Sequence, residues 1–353
     1  MLPQRQDEAA DEAWARLRLG DVSGEWPSSW EFFQLAAAGD LDEARELLQG
    51  DDPLTRYNRF VLQPDLAEYE ELLVRLPSPL REMLVVTAFT SGITNELPAT
   101  AALEGAWLAM ALSVTAAAAL ERQEFQVAIE VLGQAAAAAR ADSPLFAAQL
   151  LGQHAELLRQ DPQLVAMATQ CYREALALVE GTPLVTLPAE LWIQLGETYH
   201  QQAGTRRGPL MEAVKCYQSG IQCGLTREEH PQHFAHAQLQ IGLAYLAAPL
   251  QSSSDQLRMA IALQSFREAA KVYTKEAFPQ LWATTQLNLA NAFQYLPSSH
   301  PQENLIEAVK IYDDVLTVRD RATDPLGYAR VLLNQSNALA HLGMFRPALE
   351  KLT

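Results

Sequence analysis

Four thirteen-residue stretches of this chain align without gaps: LPAELWIQLGETY (187–199), HFAHAQLQIGLAY (233–245), LWATTQLNLANAF (281–293) and GYARVLLNQSNAL (327–339). They begin 46, 48 and 46 residues apart. Self-similarity at such a period predicts a stack of like units, each too small to bury its apolar face alone. The third place of each stretch is alanine: Ala189, Ala235, Ala283 and Ala329. The eighth is an amide: Gln194, Gln240, Asn288 and Asn334. The last is large and apolar: Tyr199, Tyr245, Phe293 and Leu339.

Each stretch is followed by a second segment. The complete ones are MEAVKCYQSGI (211–221), IALQSFREAAKVY (261–273) and IEAVKIYDDVLTV (306–318); the last, RPALEKLT, is shorter. In the complete segments an alanine precedes an aromatic by four places: Ala213 and Tyr217, Ala262 and Phe266, Ala308 and Tyr312. Earlier in the chain Ala168 and Tyr172, and Ala128 and Leu132, repeat this spacing. A separation of four puts both side chains on one helix face. The alanine then lets a neighbouring helix come close, and the larger residue fills the space one turn on. Pro231, Pro279 and Pro325 stand where first helical turns are expected.

Before residue 100 the chain also reads as helix, without a clear repeat. Ser28 followed by Glu31 has the spacing of a capping box. Gly39-Asp40 breaks that helix from the next, and Pro77-Ser78-Pro79 separates a further pair. The expected organisation is an acidic α-helical N-terminal module at 1–100 and a helical repeat array at 101–353.

The array resembles the tetratricopeptide repeat family. The matching features are Leu195-Gly196 with Tyr199, Ile241-Gly242 with Tyr245, and the pattern of Ala168, Tyr172 and Ala175 in a second helix. The resemblance covers roughly residues 102–353, but the family's usual unit is about 34 residues. The extra length falls in segments such as HQQAGTRRGPL, LAAPLQSSSDQL and QYLPSSHPQEN, and surface loops lengthen at small entropic cost. The resemblance implies an all-α, right-handed α-solenoid of such hairpins behind the irregular N-terminal module. It also implies that the first helices line a concave groove. Some family members grip a C-terminal carboxylate with Lys and Arg there. Here those places are largely Gln, Asn, Leu and Ala, so an internal segment or a helix is the expected ligand.

The formal net charge of −17 weighs against nucleic acid and anionic membranes as partners. Residues 1–100 hold 19 acidic residues and 8 arginines, a net −11, leaving −6 for the rest. A solvated surface accounts for this, and a basic partner is the alternative. The longest uncharged run, GAWLAMALSVTAAAAL, is too short and alanine-rich for a membrane span. The N-terminal sequence shows no secretory signal. Three cysteines without a CxxC predict neither a disulfide framework nor a cysteine zinc site, and a cytoplasmic location fits. Cys171 and Cys216, one place before an aromatic in adjacent repeats, read as packing residues.

His230, His233 and His236 are the sharpest candidate for a metal site. Two helical histidines and a loop ligand are chemically able to hold zinc. No HExxH motif accompanies them, so polar helix-start residues are the expected role and no metal is assigned. The arginines and glycines of AGTRRGP suit an anion, but an exposed loop explains them equally. No phosphate loop, dinucleotide fingerprint or nucleophile elbow occurs. The chain is expected to be no enzyme and to need no cofactor.

The residues assigned to partner binding are the amides Gln194, Gln240, Asn288 and Asn334, with Asn291 and Asn337 one turn on. An amide both donates and accepts, so it pairs with a peptide backbone without reading side chains. The competing role is to pair with one another or with adjacent backbones and register the stack. The expected function is an adaptor, scaffold or assembly factor that holds a protein segment. The alternatives are a regulatory or sensor region controlling an effector domain, as in bacterial proteins with similar long repeats, or an enzyme complex, and a histidine-dependent metalloenzyme. Self-association through the uncapped C-terminal end is a further expectation, because the bare face of a terminal repeat needs cover.

Overall fold

A computed structural model describes residues 8–21, 25–249, 255–296 and 300–352. Readings that fall on 1–7, 250–254 and 297–299 lie outside the described residues. Among the described residues there is no strand. Contacts divide the chain into two compact units, Met1–Leu184 and Val185–Thr353. The compositional boundary near residue 100 falls inside the first unit.

The first unit holds α1 (Glu8–Leu17), α2 (Glu31–Ala38), α3 (Leu41–Glu46), α4 (Pro53–Leu62), α5 (Leu66–Arg75), α6 (Leu80–Thr90), α7 (Gly105–Glu121), α8 (Phe125–Ala139), α9 (Pro144–Leu158) and α10 (Val165–Leu178). Local chemistry sets several of these boundaries. Pro53 opens α4, and the Asp52 carboxylate accepts from Leu54 N at 3.1 Å and Thr55 N at 3.0 Å. Asp65 caps α5 by accepting from Glu68 N at 3.0 Å. Gly39, at φ 95°, ends α2 in the left-handed conformation that favours glycine. The capping box at Ser28 does not form. Ser28–Trp30 is a 3-10 turn, so the place before α2 is Trp30, which makes no side-chain cap. Trp30 is buried there, with its ring centroid 6.4 Å from Trp14 and 6.1 Å from Trp26. Tyr57, Phe60, Tyr69, Leu72, Met83 and Leu84 form a separate core where α4, α5 and α6 meet. From α7 to α10 each helix packs on the next in chain order.

The second unit holds α11 (Thr186–Ala203), α12 (Arg207–Gln222), α13 (Pro231–Ala247), α14 (Asp255–Ala270), α15 (Pro279–Tyr295), α16 (Pro301–Val315), α17 (Pro325–His341) and α18 (Phe345–Glu350). Consecutive helices pack in order, and the first helices also meet one another: α11 with α13, α13 with α15, α15 with α17. This is the all-α solenoid packing that the periodicity predicts. Ala213, Tyr217, Ala262, Phe266, Ala308 and Tyr312 are all fully buried. So are Ala128, Ala168 and Tyr172 in the first unit. Pro231, Pro279 and Pro325 each occupy the first turn of their helix.

The tenth place of the aligned stretches explains how closely the helices approach. It holds Gly196, Gly242, Ala290 and Ser336. A Cβ on Gly196 would lie 2.6 Å from Tyr217 Cε1, and one on Gly242 would lie 2.5 Å from Phe266 Cε1. Tyr217 and Phe266 thus lie against the backbone of their first helices, and only a small residue fits there.

One alanine departs from the pattern. Ala189, Ala235 and Ala283 are fully buried, but Ala329 is exposed. In the first hairpin, Gly220 near the end of α12 lies over Ala189 O and Ile193. The six-residue α18 has no corresponding second half, so the equivalent part of α17 lacks that cover.

Candidate face of the first helices

The amide candidates lie at the junctions between first helices. At two of the junctions the eighth residue of one stretch lies beside the eleventh residue of the stretch before it, 43 positions back. At the α15/α17 junction, Asn334 Nδ2 donates to Asn291 Oδ1 at 2.8 Å. Asn291 Oδ1 also accepts from the Tyr312 hydroxyl at 2.7 Å, and that hydroxyl lies 3.2 Å from Gln294 Oε1. Burial pushes the Tyr312 hydroxyl well above its ordinary pKa, with the nearby Tyr295 adding to the effect. It therefore stays protonated and able to donate.

At the α11/α13 junction the same register pairs Gln240 Nε2 with Glu197 Oε1 at 3.4 Å. His236 Nε2 lies 2.7 Å from that carboxylate oxygen, and His233 Nε2 lies 2.8 Å from Glu190 Oε1. Two members of the histidine trio thus hydrogen-bond to separate glutamates of the preceding first helix. His230 stands just before α13. Among the described residues, no group of three or more His, Cys, Asp or Glu side chains is arranged to hold a metal ion.

At the α13/α15 junction the register changes character. The eleventh place of the α13 stretch, 45 positions before Asn288, is the apolar Leu243. Asn288 Nδ2 turns back to Thr284 O of its own helix, 2.9 Å away. The six candidates therefore behave differently. Asn291 and Asn334 are joined, Gln240 reaches a glutamate, and Asn288 bonds along its own helix. Gln194 is half-buried, and Asn337 is exposed on α17.

Sequence reasoning found the column, and named amide–amide and amide–backbone pairing as its competing role, but missed the glutamate partner of Gln240. The 43-residue relation was available from the alignment, and it pairs Gln240 with Glu197 and Asn334 with Asn291. It also missed Gln335, which is fully buried on α17 and donates to Asp313 Oδ1 at 2.7 Å and Val309 O at 3.3 Å. Its equivalents, Leu195, Ile241 and Leu289, are apolar.

The cysteines are free thiols. Cys171 and Cys216 are buried, and Cys171 Sγ lies 3.8 Å from His154 Nδ1. Burial pushes the Cys171 thiol up and the His154 imidazole down, a combination that favours the neutral thiol. In AGTRRGP, Arg206 donates to Gln202 O at 2.5 Å and Ala203 O at 3.3 Å, capping the end of α11. Among the described residues no helix is long and apolar enough to cross a membrane.

No family model matches the chain, and no curated protein matches it. Among solved structures it is similar to BtubC (BKLC) from P. vanneervenii, at 16% identity. That likeness covers 66% of this chain and 88% of the other, with a TM-score of 0.47.

Proposed function

We propose that this chain is a non-enzymatic adaptor, scaffold or assembly factor that holds a protein segment on the common face of α11, α13, α15 and α17. The observation that carries this reading is the row of amides in one register on successive first helices, with Gln194, Gln240, Asn288 and Asn334 all half-buried. Half-burial leaves each amide within reach of a ligand while its helix fixes its direction. Such groups match the alternating donors and acceptors of a peptide backbone. We read the hairpins as tetratricopeptide-like units with lengthened loops. The close packing of Tyr217 on Gly196 and of Phe266 on Gly242 supports that reading. Three free cysteines suit a cytoplasmic place.

Quantitative partner capture tests the proposal. The parent chain is compared with an Asn288→Ala/Asn337→Ala double variant, which leaves the Asn291–Asn334 pair intact. A partner held by the parent and lost by the folded variant is the expected result. A partner held equally by both moves the binding surface away from this face.

A further inference from the structure

We propose that the outer face of α18 pairs with the same face of a second copy of this chain, in an antiparallel two-fold contact. Such pairing is independent of what the first helices hold.

The inner side of α18 is held to its own array. Ala348 is buried, its carbonyl accepts from Ser336 Oγ at 2.8 Å, and Lys351 Nζ lies 3.2 Å from Asp313 Oδ1. The outer side is bare. Phe345, Leu349 and Leu352, the last in the turn that follows the helix, are 72%, 63% and 56% exposed. Steps of four and three put them on one face. The same places hold Leu210, Val214 and Tyr217 in α12, and Met259, Leu263 and Phe266 in α14, all of them buried. Those residues share a core with the first helix that follows them, through Ala237, Ile241 and Ala244 of α13, and through Leu289 and Ala292 of α15. The outer face of α18 therefore continues the surface on which the array stacks, and a helix with an apolar stripe is the shape it accepts.

Charge selects the second copy as that helix. The chain carries a net −17, so most of its surface repels another copy. Residues 325–352 depart from this, with Arg330, Arg346 and Lys351 against the single carboxylate Glu350. Arg346 and Glu350 lie one turn apart beside the stripe, 92% and 67% exposed, with Arg346 Nε 3.3 Å from Glu350 Oε1. Two such helices, antiparallel about an axis near Leu349, bring Leu349 against Leu349 of the second copy and Phe345 against its Leu352. Arg346 then meets Glu350 of the second copy. Each apolar residue and each charge finds its complement, and symmetry repeats every contact, as an isologous interface requires. Three apolar side chains from each copy make a small interface, so the dimer is weak and depends on concentration.

Sedimentation velocity of the whole chain over a range of concentrations tests the pairing. The variants are Leu349→Asp, Arg346→Glu and Glu350→Arg, each first shown to keep the parent's helical circular dichroism. The parent is expected to pass from monomer to dimer as concentration rises. Each variant alone should weaken the dimer about tenfold or more, the size expected when an anchor contact is lost. An equimolar mixture of Arg346→Glu with Glu350→Arg should restore it, because each copy then carries the charge the other needs. Damage to α18 itself would not be repaired by mixing. A parent that stays monomeric throughout, a dimer that survives Leu349→Asp, growth beyond two copies, or a mixture that stays monomeric overturns the proposal.

Discussion

At the scale of single residues, the small places of the first helices set the spacing of the hairpins. Gly242 faces the ring of the fully buried Phe266, which has no room to retreat. Gly242→Ala should therefore destabilise the chain by about 1–3 kcal/mol, although alanine is the better helix former. The third repeat already carries the fully buried Ala290 at this place, so Ala290→Gly should cost about 0.5–1 kcal/mol through backbone entropy, with the loss of a buried methyl group added to it. Urea denaturation of both variants checks the contrast, and a stabilised Gly242→Ala would contradict the close packing. Ala213 and Ala308 follow the same logic, since both are fully buried between helices. Ala213→Leu or Ala308→Leu should cost about 1–3 kcal/mol by overpacking. These alanines were legible in the sequence, because the four-residue spacing to an aromatic is a property of one helix face. Ala329 was not, because its exposure depends on how far α18 extends.

At the scale of elements, the helices were more legible than their contacts. Proline at first turns and aspartate before them mark helix starts directly, as Asp52-Pro53 does for α4 and Asp324-Pro325 for α17. The 3-10 turn at Ser28–Trp30 escaped, because the burial of Trp30 outweighs a capping motif. The amide column was legible as a column. Its hydrogen bonds were not, because the partners of Gln240 and Asn334 lie on another helix at the eleventh place of the stretch before, while Asn288 bonds its own helix. A double-mutant cycle separates the cases. Asn291→Ala and Asn334→Ala should show a coupling of about 0.5–1.5 kcal/mol. Leu243→Ala and Asn288→Ala, at the same register, should show close to none. Equal couplings would dissolve the distinction between the junctions. The cap of α17 gives a pH test. Asp324 accepts from Gly327 N at 2.9 Å, and this bond, followed by Arg319, holds its carboxyl below the ordinary value of 3.8. A depressed carboxylate stabilises the fold above the unfolded value and loses that effect as pH falls through the folded one. The stability difference between the parent and Asp324→Asn should therefore be full above pH 3.8 and shrink below it, by denaturation across that range.

At the scale of the whole chain, a repeat array is stabilised by its units and by the interfaces between neighbours, so equivalent residues need not be equivalent in energy. The seventh place of the stretches shows this. Ile193 and Leu239 are 4% exposed and Leu287 is 7% exposed, each covered by its own second helix and the hairpin that follows. Leu333, at the same place on α17, is 51% exposed. Alignment alone assigns these four residues one role, whereas cover assigns the last a different one. Leu239→Ala should cost about 2–5 kcal/mol, as a cavity among Met259, Phe266 and Leu289. Leu333→Ala in the same chain should change stability by no more than about 0.5 kcal/mol, the usual range for a surface site. Chemical denaturation of the two variants side by side measures the contrast. If Leu333→Ala proved as costly as Leu239→Ala, the face of α17 would be covered in solution. Repeating the measurement over a range of protein concentrations would then show whether a second copy supplies the cover, because only that cover weakens on dilution.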